Sequence, residues 1–75
     1  MTKRTITIDM ENTGKEMSTR FASKQMNYTD IANELGVSIS TVSYWMNGKK
    51  LPSLSHILEI TEMLECKVED IIVVK

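Results

Sequence analysis

A chain of 75 residues, 41% hydrophobic and 25% charged, makes one small globular domain at most, with little room for a catalytic cleft or a separate sensor domain. Its net charge of −1 gives no overall attraction to nucleic acid, and its single cysteine, Cys66, excludes an intrachain disulfide and points to a reducing cytoplasm. No apolar run approaches the roughly 18 residues of a membrane helix, and "MTKRTITIDM" alternates where a secretion signal would be continuously apolar.

The distribution of charge says more than its sum. Residues 1–52 carry seven Lys/Arg against five Asp/Glu, whereas residues 53–75 carry two against five. A basic surface therefore belongs to the first two-thirds and an acidic one to the remainder, a distribution compatible with a nucleic-acid face opposite a protein-contact face.

In chain order, "TITIDM" (residues 5–10) sets Ile6, Ile8 and Met10 on one side, the period-two pattern of a short strand. "ENTGK" is expected to break it, with Asn12 and Gly14 as turn residues, so residues 1–13 read as an arm and 14–75 as the domain. A first helix is expected over residues 15–24, with Met17 and Phe21 four apart on one face. Asn27 is a good N-cap with Asp30 at N3. The helix it opens repeats Tyr28, Ile31, Ala32 and Leu35, and Gly36 ends it.

Ser38 caps the next helix, expected over residues 39–47 and closed by Gly48. Placed about 100° apart, Ile39, Val42, Trp45 and Met46 fall on an apolar arc of about 120°. Ser40, Ser43, Tyr44 and Asn47 fall opposite, with Thr41 at the border. "GKKLPS" is an exposed loop with Lys49 and Lys50. Ser53 then caps a fourth helix, in which Leu54, Ile57, Leu58, Thr61 and Leu64 recur at helical spacing. In "KVEDIIVVK", Val68, Ile71 and Ile72 fit one helical turn, while residues 71–74 fit a strand equally well.

Two short capped helices joined by "ELGVS" make a helix-turn-helix. Ala32 permits close approach, Gly36 reverses the chain, and Val37 and Val42 plug the angle between the helices. Such a pair projects its second helix toward a major groove about 12 Å wide.

Residues 31–72 resemble the Cro/repressor-type (XRE-like) helix-turn-helix family of phages and bacteria. The resemblance is carried by Ile31-Ala32, Leu35-Gly36-Val37-Ser38, Ser40-Thr41-Val42-Ser43, Trp45, Asn47-Gly48-Lys49 and Pro52-Ser53-Leu54, in order and at the right spacing. It implies an all-α, five-helix fold, a third helix in the major groove of an operator, and usually a homodimer. By position, it puts Ile39, Ser40, Ser43 and Tyr44 at base edges. It puts Ser38, Thr41, Asn47, Lys49 and Lys50 at phosphates, and Tyr28 where a Gln often contacts the backbone or anchors the reading residues. This chain departs from the pattern in having Ile39 and Tyr44 at positions usually long and polar, Met46 where Glu is common, and Arg20 where a core Leu is usual.

Blander roles stand beside these. Ser40, Ser43 and Tyr44 suit a merely solvated helix face. Ile39, at the edge of the apolar arc, suits either a half-buried position or a thymine methyl contact. Lys49 and Lys50 suit simple solubilisation; Trp45 reads as core, Cys66 as a packed thiol, and His56 has no ligand partners for a metal. "TITIDM" fits a disordered tail, a strand exchanged between chains, or a strand paired with "IIVVK", the pairing expected here because in the family fold the first helix begins near where the last one ends.

The leading expectation is thus a stand-alone Cro-like transcription regulator of a pseudo-palindromic operator, acting in the cytoplasm with no cofactor, metal or small-molecule ligand. The alternative is a modulator or antirepressor that grips another repressor, suggested by Ile39, Tyr44 and Met46 on an uncharged helix. An enzyme is not expected, because the chain has no Cys–His pair, phosphate-binding loop or carboxylate pair beside a histidine.

Overall fold

The computed structural model describes residues 5–75. They form five helices: α1 (Met10–Ser23), α2 (Tyr28–Leu35), α3 (Ile39–Met46), α4 (Leu54–Leu64) and α5 (Val68–Ile71). α1 and α2 pack against α3, while α5 packs against α1 and α4. The shared core is built from Met17, Phe21, Ile31, Val42, Ile60 and Ile71, all essentially without solvent contact, with Trp45 and Met46 beside them.

α1 starts five residues before the expected Lys15, and Asn12 and Gly14 lie inside it rather than in a turn. Asp9 is the reason. Its carboxylate accepts the Asn12 backbone N–H at 3.0 Å, satisfying a donor that the first helical turn leaves unpaired, and also accepts the Asn12 side-chain amide at 2.7 Å. The helix therefore runs through position 13/14, where the sequence suggested a boundary between arm and domain. The period-two reading of residues 5–10 shrinks accordingly to a single antiparallel bridge between Ile8 and Val74. Asp9 N–H donates to the Val73 carbonyl at 2.7 Å and Lys75 N–H to the Thr7 carbonyl at 2.9 Å. Pairing with the C-terminal run is thus present, but as a clasp and not as a sheet. Residues 1–4, the start of the expected arm, lie outside the described residues.

Thr13, unremarked in the sequence, is fully buried beneath this clasp. Its hydroxyl accepts the Val73 N–H at 2.9 Å and lies 3.5 Å from the Val73 carbonyl. The final stretch uses both of its sequence readings in succession: one helical turn through Ile71, then extended chain at Ile72.

The interior helices follow their caps. The Asn27/Asp30 capping box is complete, with reciprocal bonds of 2.8 and 3.0 Å. Gly36 ends α2 in the left-handed conformation at φ 68°. In α4 the expected Ile57, Thr61 and Leu64 are buried, and the difference lies in Ile60, which joins them, and in Leu54 and Leu58, which are 70% and 52% exposed. Both stripes have helical spacing, and the one that meets the core is buried.

Candidate nucleic-acid interface

α3 is held from both ends. At its start the Ser38 hydroxyl accepts the Thr41 N–H at 3.1 Å, and the Ser38 and Thr41 hydroxyls share a hydrogen bond at 2.8 Å. One hydroxyl proton of this pair is consumed in that bond, so one O–H remains to donate outward. At the other end, the Tyr44 carbonyl accepts the N–H of Lys49 at 2.8 Å and of Lys50 at 3.3 Å. The lysine loop is thereby folded back onto the helix. Lys50 Nζ lies 5.8 Å from the centre of the Tyr44 ring, within cation–π range.

The buried face of α3 is Val42, Trp45 and Met46. Trp45 is core, as expected, and its ring lies 5.3 Å from that of His56. His56 Nδ1 is also 3.0 Å from the Ser53 hydroxyl, so the only histidine is engaged in packing and capping. Met46 is buried too, so it adds nothing to the outward face of α3. Ile39 goes the other way. The angular sorting put it on the inward arc, yet it is 50% exposed, comparable with Tyr44 at 49%. Standing first in the helix, it projects beyond the core that covers Val42.

The outward surface therefore comprises Ile39, Ser40 and Tyr44, with Ser43 and Thr41 partly covered and Asn47 exposed at the end. Asn47 is turned back. Its amide nitrogen donates to the Ser43 carbonyl at 2.9 Å and to the Ser43 hydroxyl at 3.2 Å, leaving its own oxygen as the free acceptor. Tyr28, half-buried at the start of α2, lines a cleft with Phe21, Ile31 and Met46 and does not share the exposure of the α3 residues.

Two further charged residues come to this surface, and sequence reasoning missed both. Glu11 and Lys15, from the first turns of α1, line a cleft with Asn47, Gly48 and Lys49. They are ion-paired at 3.3 Å, so Lys15 brings a partly compensated charge. The approach of α1 depends on two glycines. A Cβ on Gly14 would lie 2.6 Å from the Met46 carbonyl oxygen, and one on Gly48 2.8 Å from that of Met10. No local pattern shows this contact, because its partners are some thirty residues apart.

The sequence that builds these elements is matched by a family model. The description Cro/C1-type helix-turn-helix DNA-binding domain fits residues 16–75. The chain belongs to that family. Its membership makes double-stranded DNA the partner class of the domain and agrees with the five-helix architecture described above. No curated protein matches the chain in sequence.

Solved structures resemble the Cro/C1-type domain at low identity and so bear on the fold alone. The restriction-modification controller protein C.AhdI from Aeromonas hydrophila is 21% identical with a TM-score of 0.75, over 84% of this chain and 96% of the other. The DNA-binding domain of BldD is 8% identical with a TM-score of 0.70, covering 84% and 92%. The cobalt(II) form of HppE is 22% identical with a TM-score of 0.74, but the match spans only 36% of that longer chain. Among the described residues, no helix is long and apolar enough to cross a membrane.

Proposed function

We propose that the protein is a stand-alone Cro-like transcription regulator that binds a pseudo-palindromic operator as a homodimer. The observation that carries this reading is the outward face of α3, capped at Ser38 and flanked by a lysine loop bonded back to it. In this reading Ile39, Ser40, Ser43 and Tyr44 meet base edges. Ser38, Thr41, Lys49 and Lys50 hold phosphates, and Asn47 and Tyr28 support them from the two ends of the surface. Lys15 joins the phosphate contacts. Two protomers would set their α3 helices about 34 Å apart, one turn of DNA. Leu54 and Leu58 give α4 an exposed apolar face of the kind a second protomer covers. The protein acts in the cytoplasm, performs no catalysis and takes no cofactor.

Electrostatics make a quantitative test. With Lys49 and Lys50 as the unpaired cations beside α3 among the described residues, each protomer brings few charges to the groove and a dimer neutralises few phosphates. The slope of log K against log salt should be about −4, against about −10 for a protein with many phosphate contacts. Titration of the operator at several salt concentrations measures it. A slope near the steeper value would contradict the assignment of contacts.

A second reading has the same surface grip another repressor protein, and the half-exposed Ile39 and Tyr44 on an uncharged helix favour it. Tyr44→Ala separates the two. Weakened operator binding with a partner complex left intact supports DNA as the target of this face; loss of the complex alone supports the protein partner.

A further inference from the structure

The groove-facing surface is notable for the kinds of base recognition it lacks. Bidentate reading of guanine uses Arg or Lys, and bidentate reading of adenine uses Asn or Gln. Residues 39–46 contain none of these, and no carboxylate to accept from cytosine. A cation beside them, Lys50, comes from the loop and lies 5.8 Å from the centre of the Tyr44 ring. The nearest amide, Asn47, has its nitrogen turned onto Ser43, so it offers an acceptor without the matching donor that adenine requires. What α3 does offer is Ile39 and Tyr44, both half in solvent, with the hydroxyls of Ser40 and Ser43 between them. Serine hydroxyls both donate and accept, so they discriminate weakly among base edges.

One major-groove feature matches exposed apolar side chains: the C5 methyl of thymine, which the other three bases lack. We infer that this protein selects its operator chiefly through thymine methyl groups lying against Ile39 and Tyr44, so that its half-site is built on A·T pairs with thymines at those two positions. The inference rests on the reading above, in which α3 enters the major groove, and adds the chemistry by which it chooses a sequence. The arrangement is consistent with the chain's charge. Methyl recognition needs no cation in the groove, and the lysines are left at its edge for phosphates.

The test uses the full chain and a pool of random duplexes, from which bound sequences are selected. The best site is then synthesised with each thymine replaced singly by deoxyuridine, which removes the methyl and leaves every hydrogen-bonding group in place. The expected result is a thymine-bearing half-site in which one or two uracil replacements each weaken binding about fourfold, the value of one buried methyl-sized group. Ile39→Ala should erase the penalty at one of these positions and Tyr44→Ala at the other, because each variant lacks the contact that the methyl made. Both residues are half exposed, and unchanged thermal melting confirms that the variants remain folded.

Three results would overturn the inference, and they are distinguishable. An enriched site whose thymines tolerate uracil, with guanine positions carrying the selectivity, sinks methyl reading and leaves DNA binding standing. Uracil penalties that persist unchanged in both variants show that the methyls are read elsewhere on the chain. Failure to bind any duplex removes the underlying reading together with the inference.

Discussion

The two long sides of α3 are governed by opposite rules. On the side facing α1, backbone meets backbone at Gly14, inside α1, and at Gly48, in the turn after α3, so closely that a single methyl group cannot be inserted at either glycine without displacing a carbonyl. On the outward side, Ile39 and Tyr44 are half exposed and Ser40 is exposed, and none of the three belongs to the core cluster. The buried seam fixes where the helix points; the open face decides what it meets. Substitutions on the seam should therefore act through stability, and substitutions on the face through recognition.

The strongest way to break this contrast is Gly14→Ala. In an ordinary helix interior this change stabilises, because alanine is the better helix former. Here the added Cβ would lie 2.6 Å from the Met46 carbonyl oxygen, so a loss of about 2–3 kcal/mol is expected in chemical denaturation. A stabilised variant would show that α1 does not rest on α3. Next is Thr13→Val, which keeps the shape but leaves the Val73 N–H without its acceptor, at a cost of about 1–2 kcal/mol by the same measurement. Ser38→Ala removes the cap of α3 and should cost about 1 kcal/mol. It falls between the two classes, because it should weaken operator binding as well.

On the open face, Tyr44→Ala should change stability by less than about 0.5 kcal/mol while operator affinity, followed by fluorescence anisotropy, falls at least tenfold. A large loss of stability there would mean that the face is structural after all. The smallest effect concerns acid. Hydrogen bonds from Asn12 hold the Asp9 carboxyl below its usual range. A carboxyl with a lowered folded value contributes stability above its unfolded value and loses that contribution as pH falls through the folded one. The helicity of α1 should therefore hold to about pH 4 and decline below it. Asp9→Asn, which caps without titrating, should flatten that decline in circular dichroism.

The same contrast explains how much was legible beforehand. α2, the turn and α3 could be read from the chain because each signal is local: Asn27 with Asp30, Gly36, Ser38 and the helical repeat all lie within a few residues of what they determine. The start of α1 could not. Asn12 and Gly14 are breakers by local rule, and their places inside a helix follow from an Asp9 cap and from a carbonyl thirty residues away. In α4 two apolar stripes overlap, and only the tertiary core chooses Ile60 over Leu58. Ile39 sat at the edge of the apolar arc, where angle alone left a half-buried and a groove-facing role equally open, and its 50% exposure is a tertiary outcome. Lys15 joined the candidate surface only through the approach of α1 to the lysine loop.

The Thr13–Val73 bond joins residues 60 positions apart. Closing so long a loop has an entropic cost that the contacts between α2 and α3, neighbours along the chain, do not bear. In folding, the helix-turn-helix should accordingly form early and the clasp late; in unfolding, the clasp should open first. Since Gly14 is the next residue after Thr13, an opened clasp would loosen the support behind the C-terminal end of α3. Amide exchange at Val73 would then report, ahead of global unfolding, how often α3 is left without its backing.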